Sequence, residues 1–440
     1  MREVGADFSV LSSVCFRRVS GVGRNASDFK FMIFMAHRFL HSRNVFGLFG
    51  GNPSKDQFAN LLLKEAKRAG IAAVFEYDPG EFVLKQHGGL LFLGNIYASY
   101  CQANAGHKKR LLGNFLETLR ISSRPEAFEE AKNNLVTVIR EKALFIFTDL
   151  AQRIAGNGKG IHVAAEPITA WFCKTLVIDF PGAISSVGED DLKKWNVGFE
   201  EAAEAGVQYL RNCTTPRFVP ENGYFVGVWN DDYDSSRLLL AELFGHLPLE
   251  GDPVIVIPNR LTLMVTGSGQ PDAIKAMLAK AENIVQTIAR PQNPAPLVIR
   301  NGEIADFTVG KSSPVFNEVR RAFCLAALIY YQQQKELLDK LHEKNGKDLF
   351  VAKYTLNQLK DGSYQSCAVW SKGVIALLPR TDVIMLYDPE KPEKERSLGF
   401  VAWDKLVSLA GSLMLDAEMF PERYYVSKFP DEDQLKNLLD

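Results

Sequence analysis

The chain has 440 residues, 46% hydrophobic and 23% charged, with 51 Lys+Arg set against 52 Asp+Glu. This composition excludes a disordered polar tail and a disulfide-stapled miniprotein, and it predicts a globular protein of about two to four packed units. A formal net charge of −1 excludes the broad field of a dedicated nucleic-acid or anionic-membrane binder.

The N-terminal stretch carries Arg2, Arg17, Arg18, Arg24, Lys30, Arg38 and Arg43 against Glu3, Asp7 and Asp28. Residues 1–45 therefore read as a poorly ordered basic arm, with three competing readings: a transit peptide, a nucleic-acid or membrane tail, or, the favoured one, an upstream extension from a mis-assigned start, with Met32 and Met35 just before the organised sequence. Organised sequence begins at Phe46. Ser54 and Gln57 have capping-box spacing, and Phe58, Leu61, Leu62 and Ala66 follow at helical intervals up to Gly70. A hairpin is expected where Val74–Tyr77 and Glu81–Leu84 flank Asp78-Pro79-Gly80, with a third strand at Leu90–Leu93 and one long helix from Asn95 to Leu119. A helix-rich bridge follows, from Glu126 to Ile154.

The next strand is expected at Leu176–Phe180, then helices at Glu189–Trp195 and Phe199–Arg211. Strands at Arg217–Val219 and Tyr224–Trp229 precede a short helix at Ser235–Phe244. Val254–Ile257 and Leu261–Val265 form a second hairpin, and Pro271 opens the helix that Ile274, Met277, Leu278, Ala281 and Val285 mark out. Arg290–Pro296, with three prolines, cannot continue that helix and reads as a linker. Beyond it come a helix from Val315 to Leu341 and strands at Tyr364–Trp370, Val374–Leu378 and Val383–Leu386.

The fold class expected is α+β, with helices packed on antiparallel, hairpin-built sheets. Its modules span 46–165, 166–296 and 297–440 and form one assembly. Cys15, Cys101, Cys173, Cys213, Cys324 and Cys367 stand singly, which fits a reducing, cytoplasmic compartment. No apolar run reaches the roughly 20 residues of a membrane span.

Local signatures of chemistry are absent from the sequence. Gly156-Asn157-Gly158-Lys159-Gly160 imitates a phosphate loop, but Arg153 replaces its first glycine and Gly160 its hydroxyl residue. Thr266-Gly267-Ser268-Gly269 joins a strand to a helix, where free amides favour anions, yet such an entry needs glycine anyway. Asn230-Asp231-Asp232-Tyr233-Asp234 opens like a calcium loop, but Ser235 and Ala241 occupy the positions of its glycine and its bidentate glutamate. No HExxH and no GxSxG occur, so no metal, cofactor or catalytic residue is assigned.

Two turns between apolar strands each present an arginine: Pro258-Asn259-Arg260 and Leu378-Pro379-Arg380-Thr381-Asp382. As turn residues, Arg380 and Asp382 would pair with each other on the surface. As a site, Asn259, Arg260, Arg380 and Asp382 would converge on an anionic ligand or a partner carboxylate.

Phe92-Leu93-Gly94-Asn95-Ile96-Tyr97, Asp191-Leu192-Lys193-Lys194-Trp195, Gly251-Asp252-Pro253 and the two arginine turns, with Arg423-Tyr424-Tyr425-Val426 near the end, stand in one order along the chain. In that order they resemble the uncharacterised YtpQ-like bacterial family, from about Phe46 to the C-terminus. The resemblance implies a bacterial cytoplasmic protein and brings no activity, cofactor or catalytic residue. Two readings follow. The first is a non-catalytic binding or scaffolding protein that holds a protein partner. The alternative is an enzyme acting on an anionic small molecule oriented by Arg260 and Arg380. Nucleic acid is not an expected partner of either.

Overall fold

Ser54 caps the first helix, α1 (Lys55–Arg68), as its spacing predicts: its hydroxyl accepts from the Gln57 amide at 3.2 Å, and Gln57 Oε1 accepts from the Ser54 amide at 2.8 Å. The computed structural model describes residues 52–440 apart from 72–74, 81, 87–88, 121–124, 155, 157–162, 181–182, 230 and 288–291. The basic arm, the Gly158–Gly160 stretch and Arg290-Pro291 lie outside the described residues. Phe58, Ala59 and Leu62 of α1 share a core with Leu84, on the antiparallel strands β1 (Glu76–Asp78), β2 (Val83–Gln86) and β3 (Gly89–Phe92). The long helix expected from Asn95 is two, α2 (Gly94–Gln102) and α3 (Ala105–Arg120). Ala103 takes extended backbone (φ −81°, ψ 148°), and Asn104 Oδ1 accepts from the His107 amide at 3.0 Å to restart the helix.

The helix-rich bridge contains a strand that the sequence reading passes over, β4 (Leu135–Glu141), which runs directly into α4 (Lys142–Ile154). β4 lies antiparallel to β6 (Phe172–Phe180), with β5 (Ala165–Pro167) and β7 (Ala183–Ser186) also on β6. Next come α5 (Glu189–Trp195) and α6 (Phe199–Asn212), whose Ala202 and Ala203 share a core with Leu135, Leu176 and Ile178.

A six-stranded antiparallel sheet occupies the middle of the chain. It is built from β8 (Phe218–Glu221), β9 (Tyr224–Gly227), β10 (Pro253–Asn259), β11 (Thr262–Gly267), β12 (Leu297–Arg300) and β13 (Glu303–Asp306), in the order β13-β12-β10-β11-β9-β8. The short helix expected at 235–244 is a pair of 3₁₀ segments, Asp234–Leu239 and Ala241–His246. On one face of the sheet lies α7 (Pro271–Thr287), whose Ile274, Met277, Leu278 and Ala281 meet Val254, Val256 and Met264. The expected boundary at 296 falls inside this sheet, because Leu297 and Val298 pair with Ile255 and Val254. Residues 292–299 are buried, so the proline-rich stretch is packed as core.

The 29-residue helix α8 (Phe316–Lys344) then spans the molecule. Beyond it are β14 (Phe350–Val351), β15 (Thr355–Gln358), β16 (Tyr364–Ser371), β17 (Ala376–Pro379), β18 (Val383–Tyr387), β19 (Ser397–Ala402), α9 (Trp403–Ala410), β20 (Leu415–Asp416), β21 (Arg423–Val426) and α10 (Glu432–Leu439). Their sheets run β14-β17-β21-β20 and β15-β16-β18-β19. The class is α+β with several modules, as expected, but the hairpin rule fails here. β17 and β18 are consecutive yet belong to different sheets, and the pairs β14–β17 and β16–β18 are parallel.

Candidate functional site

The two arginine turns are anchored by different elements. Asn259 Oδ1 accepts from the Leu261 amide at 2.7 Å, an Asx turn between β10 and β11. The Arg260 carbonyl accepts from the Ser235 amide at 3.1 Å and the Pro258 carbonyl from the Gln292 amide at 2.7 Å. The Arg260 guanidinium acts electrostatically on Glu141 and Arg140. Arg380 and Asp382, for their part, do not pair with each other. Arg380 donates from Nη1 to Glu422 Oε2 at 3.1 Å, and from its amide to the Tyr331 hydroxyl at 3.1 Å. Asp382 is paired with the Arg320 guanidinium and accepts from the Ser366 amide (2.7 Å) and hydroxyl (2.8 Å). Tyr331 and Arg320 both belong to α8, so this turn clamps the C-terminal sheets onto that helix.

Other sequence features resolve into structural roles. Asp231 takes Arg237 in a bidentate pair at 2.8 and 2.5 Å, and the Arg237 guanidinium stacks 4.5 Å from the Trp229 ring centre. The acidic run therefore serves a buried arginine. The amides of Ser268 and Gly269 are taken by the carbonyls of Asp252 and Glu250, each at 2.8 Å, which leaves them nothing for an anion. Among the described residues no group of three or more His, Cys, Asp or Glu side chains is placed to hold a metal.

The feature with chemical character lies where β4 becomes α4. Glu141 is the last residue of the strand, and Leu144, Phe147, Thr148 and Ala151 follow it at helical spacing, so five side chains form one stripe along the helix. With Gln333 of α8 on the other side, the stripe lines an open groove of about 260 Å³. Glu141 carries a carboxylate at the head of an otherwise apolar and neutral surface.

Beneath that carboxylate lies an aromatic floor. Tyr330 of α8 donates its hydroxyl to Glu141 and accepts from Asn293 Nδ2 at 3.1 Å. Phe147 meets the Tyr330 ring edge-on, with centres 6.2 Å apart, while Trp171 lies at 5.6 Å and Phe420 at 6.1 Å. Burial pushes the Glu141 carboxyl up to about 7, against the opposing pull of the Tyr330 hydroxyl, the Asn293 amide and Arg260. The same burial carries Tyr330 well above the usual phenol range and lifts the Cys173 thiol to about 11, which leaves that thiol protonated and unreactive. Arg140, one residue before Glu141, donates from Nη1 to the Ile139 carbonyl at 2.8 Å, and burial followed by the nearby Arg260 charge pushes it down to about 9.

Of the candidate site residues singled out from sequence, Arg260 is near enough to act electrostatically on Glu141, and none lines the cavity. Arg380 and Asp382 line neither this groove nor the smaller cleft of about 210 Å³ between α7 and α8. That cleft is crossed by a bidentate pair, Arg321 to Glu282, at 2.9 and 2.5 Å. Sequence reasoning passed over Glu141. The available signal was a carboxylate ending an apolar, β-branched run and opening an apolar helix; its partner Tyr330 is 189 residues away. Comparison with family models, with curated proteins and with solved structures finds no match to the chain.

Proposed function

We propose that the chain is a non-catalytic binding or scaffolding protein that docks a protein partner in the groove along α4, and that it acts in the cytoplasm as a member of the YtpQ-like family. One observation carries this reading. Helix α4 turns Leu144, Phe147 and Ala151 toward an open groove, with Leu144 39% exposed. An apolar face left open beside a rigid helix pair suits the capture of a second helix, whose own apolar side fills the groove. The arginine turns offer less to a ligand, since Arg380 and Asp382 are occupied by Glu422 and Arg320.

The test is a photo-crosslinking amino acid placed at position 144 in cells, with exposed position 360 as the control. A single protein adduct from 144 and none from 360 is the expected outcome. No adduct from either position, together with a small molecule retained in native mass spectrometry, would sink the docking reading and favour the enzyme.

A further inference from the structure

We propose that Arg140 and Arg260 hold a small oxyanion, of the phosphate or carboxylate class, between β4 and the β10–β11 turn. The site lies apart from the α4 groove and does not depend on the docking reading. Its ground is a contrast among the buried arginines of the chain. Arg237 is fully buried and forks onto the Asp231 carboxylate at 2.8 and 2.5 Å. Arg423, also fully buried, spends its donors on four oxygens, those of Gln334 and three backbone carbonyls. Arg140 is only 5% exposed, yet among the described residues its guanidinium makes one hydrogen bond, to the Ile139 carbonyl, and has no carboxylate within ion-pairing distance. The rest of its N–H donors are not spent within the chain.

The groups that face Arg140 do not supply the missing charge. Burial keeps the Tyr233 phenol and the Cys173 thiol protonated, and so neutral. Asp232 acts on Arg140 from an exposed position beyond ion-pairing distance, and the Arg260 guanidinium repels it. Two hydrogen bonds tie the arginines to one place. Ser236 Oγ accepts from the amide of Ile139, the residue before Arg140, at 3.2 Å, and the Ser235 amide donates to the Arg260 carbonyl at 3.1 Å. The Ser235 hydroxyl, fully buried between these two ties, has no partner among the described residues and is left as a further donor. An oxyanion bound there turns the repulsion of two poorly hydrated guanidinium groups into two charge-assisted pairs. Arg260 is half-buried, whereas Arg140 and Ser235 are inside, so the anion enters past the turn and is small.

The experiment is isothermal titration calorimetry of the full chain, first dialysed free of phosphate and sulfate, at constant ionic strength in chloride. Inorganic phosphate, methyl phosphate and acetate are the titrants. Saturable binding of inorganic phosphate or acetate is expected, weakened at least about tenfold by Arg260→Ala and unchanged by Arg380→Ala. Arg140→Met should abolish it. The Arg260→Ala comparison stands even if Arg140→Met fails to fold, because position 260 is a half-buried turn residue. Methyl phosphate that binds as well as phosphate supports the site and assigns it the phosphoryl end of a larger molecule. Exclusion of methyl phosphate supports it with the free ion as occupant, and a preference for acetate supports it with a carboxylate. No saturable binding of any titrant, or binding that Arg260→Ala leaves unchanged, overturns the site. Neither result bears on the docking reading, which crosslinking at position 144 decides.

Discussion

Arg423 is fully buried, and its guanidinium is bonded to Gln334 Oε1 at 2.5 Å, to the carbonyls of Ala352 (2.9 Å) and Leu377 (3.0 Å), and to that of Tyr331 at 3.4 Å. It joins α8 to the strands β14, β17 and β21, and burial pushes its pKa down to about 10. Removing it strands several buried acceptors, each costing about 1–3 kcal/mol. Arg423→Ala should therefore lose about 3–5 kcal/mol in urea unfolding, and Arg423→Lys should recover only part of that. Glu141 works in the opposite sense. Its carboxyl titrates near 7 in the folded protein and near 4.5 in the unfolded chain, so its stabilising contribution is full below about pH 4.5 and is lost as pH rises through about 7. The loss amounts to about 3 kcal/mol. Glu141→Gln should flatten the stability profile between these pH values and gain in relative stability above pH 7, as read from denaturant midpoints across pH. Neither residue announces itself in the sequence. A single arginine or glutamate reads as surface, and its burial is decided by partners far along the chain.

At the scale of elements, caps, periodic helices and a hairpin marked by its turn were legible, and the buried strand β4 was not. Ser54–Gln57, the Pro271 helix and the β10–β11 hairpin stand where local spacing puts them, because each is decided within one or two turns of chain. β4 was hidden because Leu135–Ile139 is buried on both sides and so has no alternation to read, and helical patterns flank it. Its contact with α6 also sets a close limit. A methyl at Gly206 would come within 2.5 Å of the Thr137 amide nitrogen and 2.9 Å of the Val136 carbonyl carbon, both backbone atoms of β4. Gly206→Ala should push α6 off the sheet and cost about 2–3 kcal/mol, against the slight gain that alanine brings to an open helix position. Thermal unfolding of that variant beside Gly113→Ala, where a methyl meets open space, separates the two effects. At the C-terminus, Asp431 accepts from the Gln434 amide at 2.8 Å to cap α10. Asp431→Ala should cost about 1 kcal/mol by the same measurement.

In the whole molecule, α8 does what no linker does. Its Tyr330 reaches Glu141 on β4, the adjacent Tyr331 hydroxyl reaches the Glu422 carbonyl at 2.7 Å, and Arg320 reaches Asp382. The central sheet crosses the proline-rich stretch, so a chain ended at Pro296 loses β12 and β13 and bares the outer side of β10, including Val254 and Ile255. Such a fragment should show no cooperative melt by circular dichroism, whereas the intact chain should. That boundary was misplaced because proline marks where a helix stops and carries no information on which sheet the next strand joins.

The packing of Trp171 against Tyr330 also gives the groove an optical reporter. The indole lies 5.6 Å from the ring whose hydroxyl bonds Glu141 and 6.1 Å from the Phe420 ring. Its emission therefore senses both the charge on that carboxylate and the filling of the groove above it. A fluorescence titration of the unlabelled protein should move through a midpoint near pH 7 that Trp171→Phe erases. An arriving helix should be visible by the same light, without a dye on either molecule.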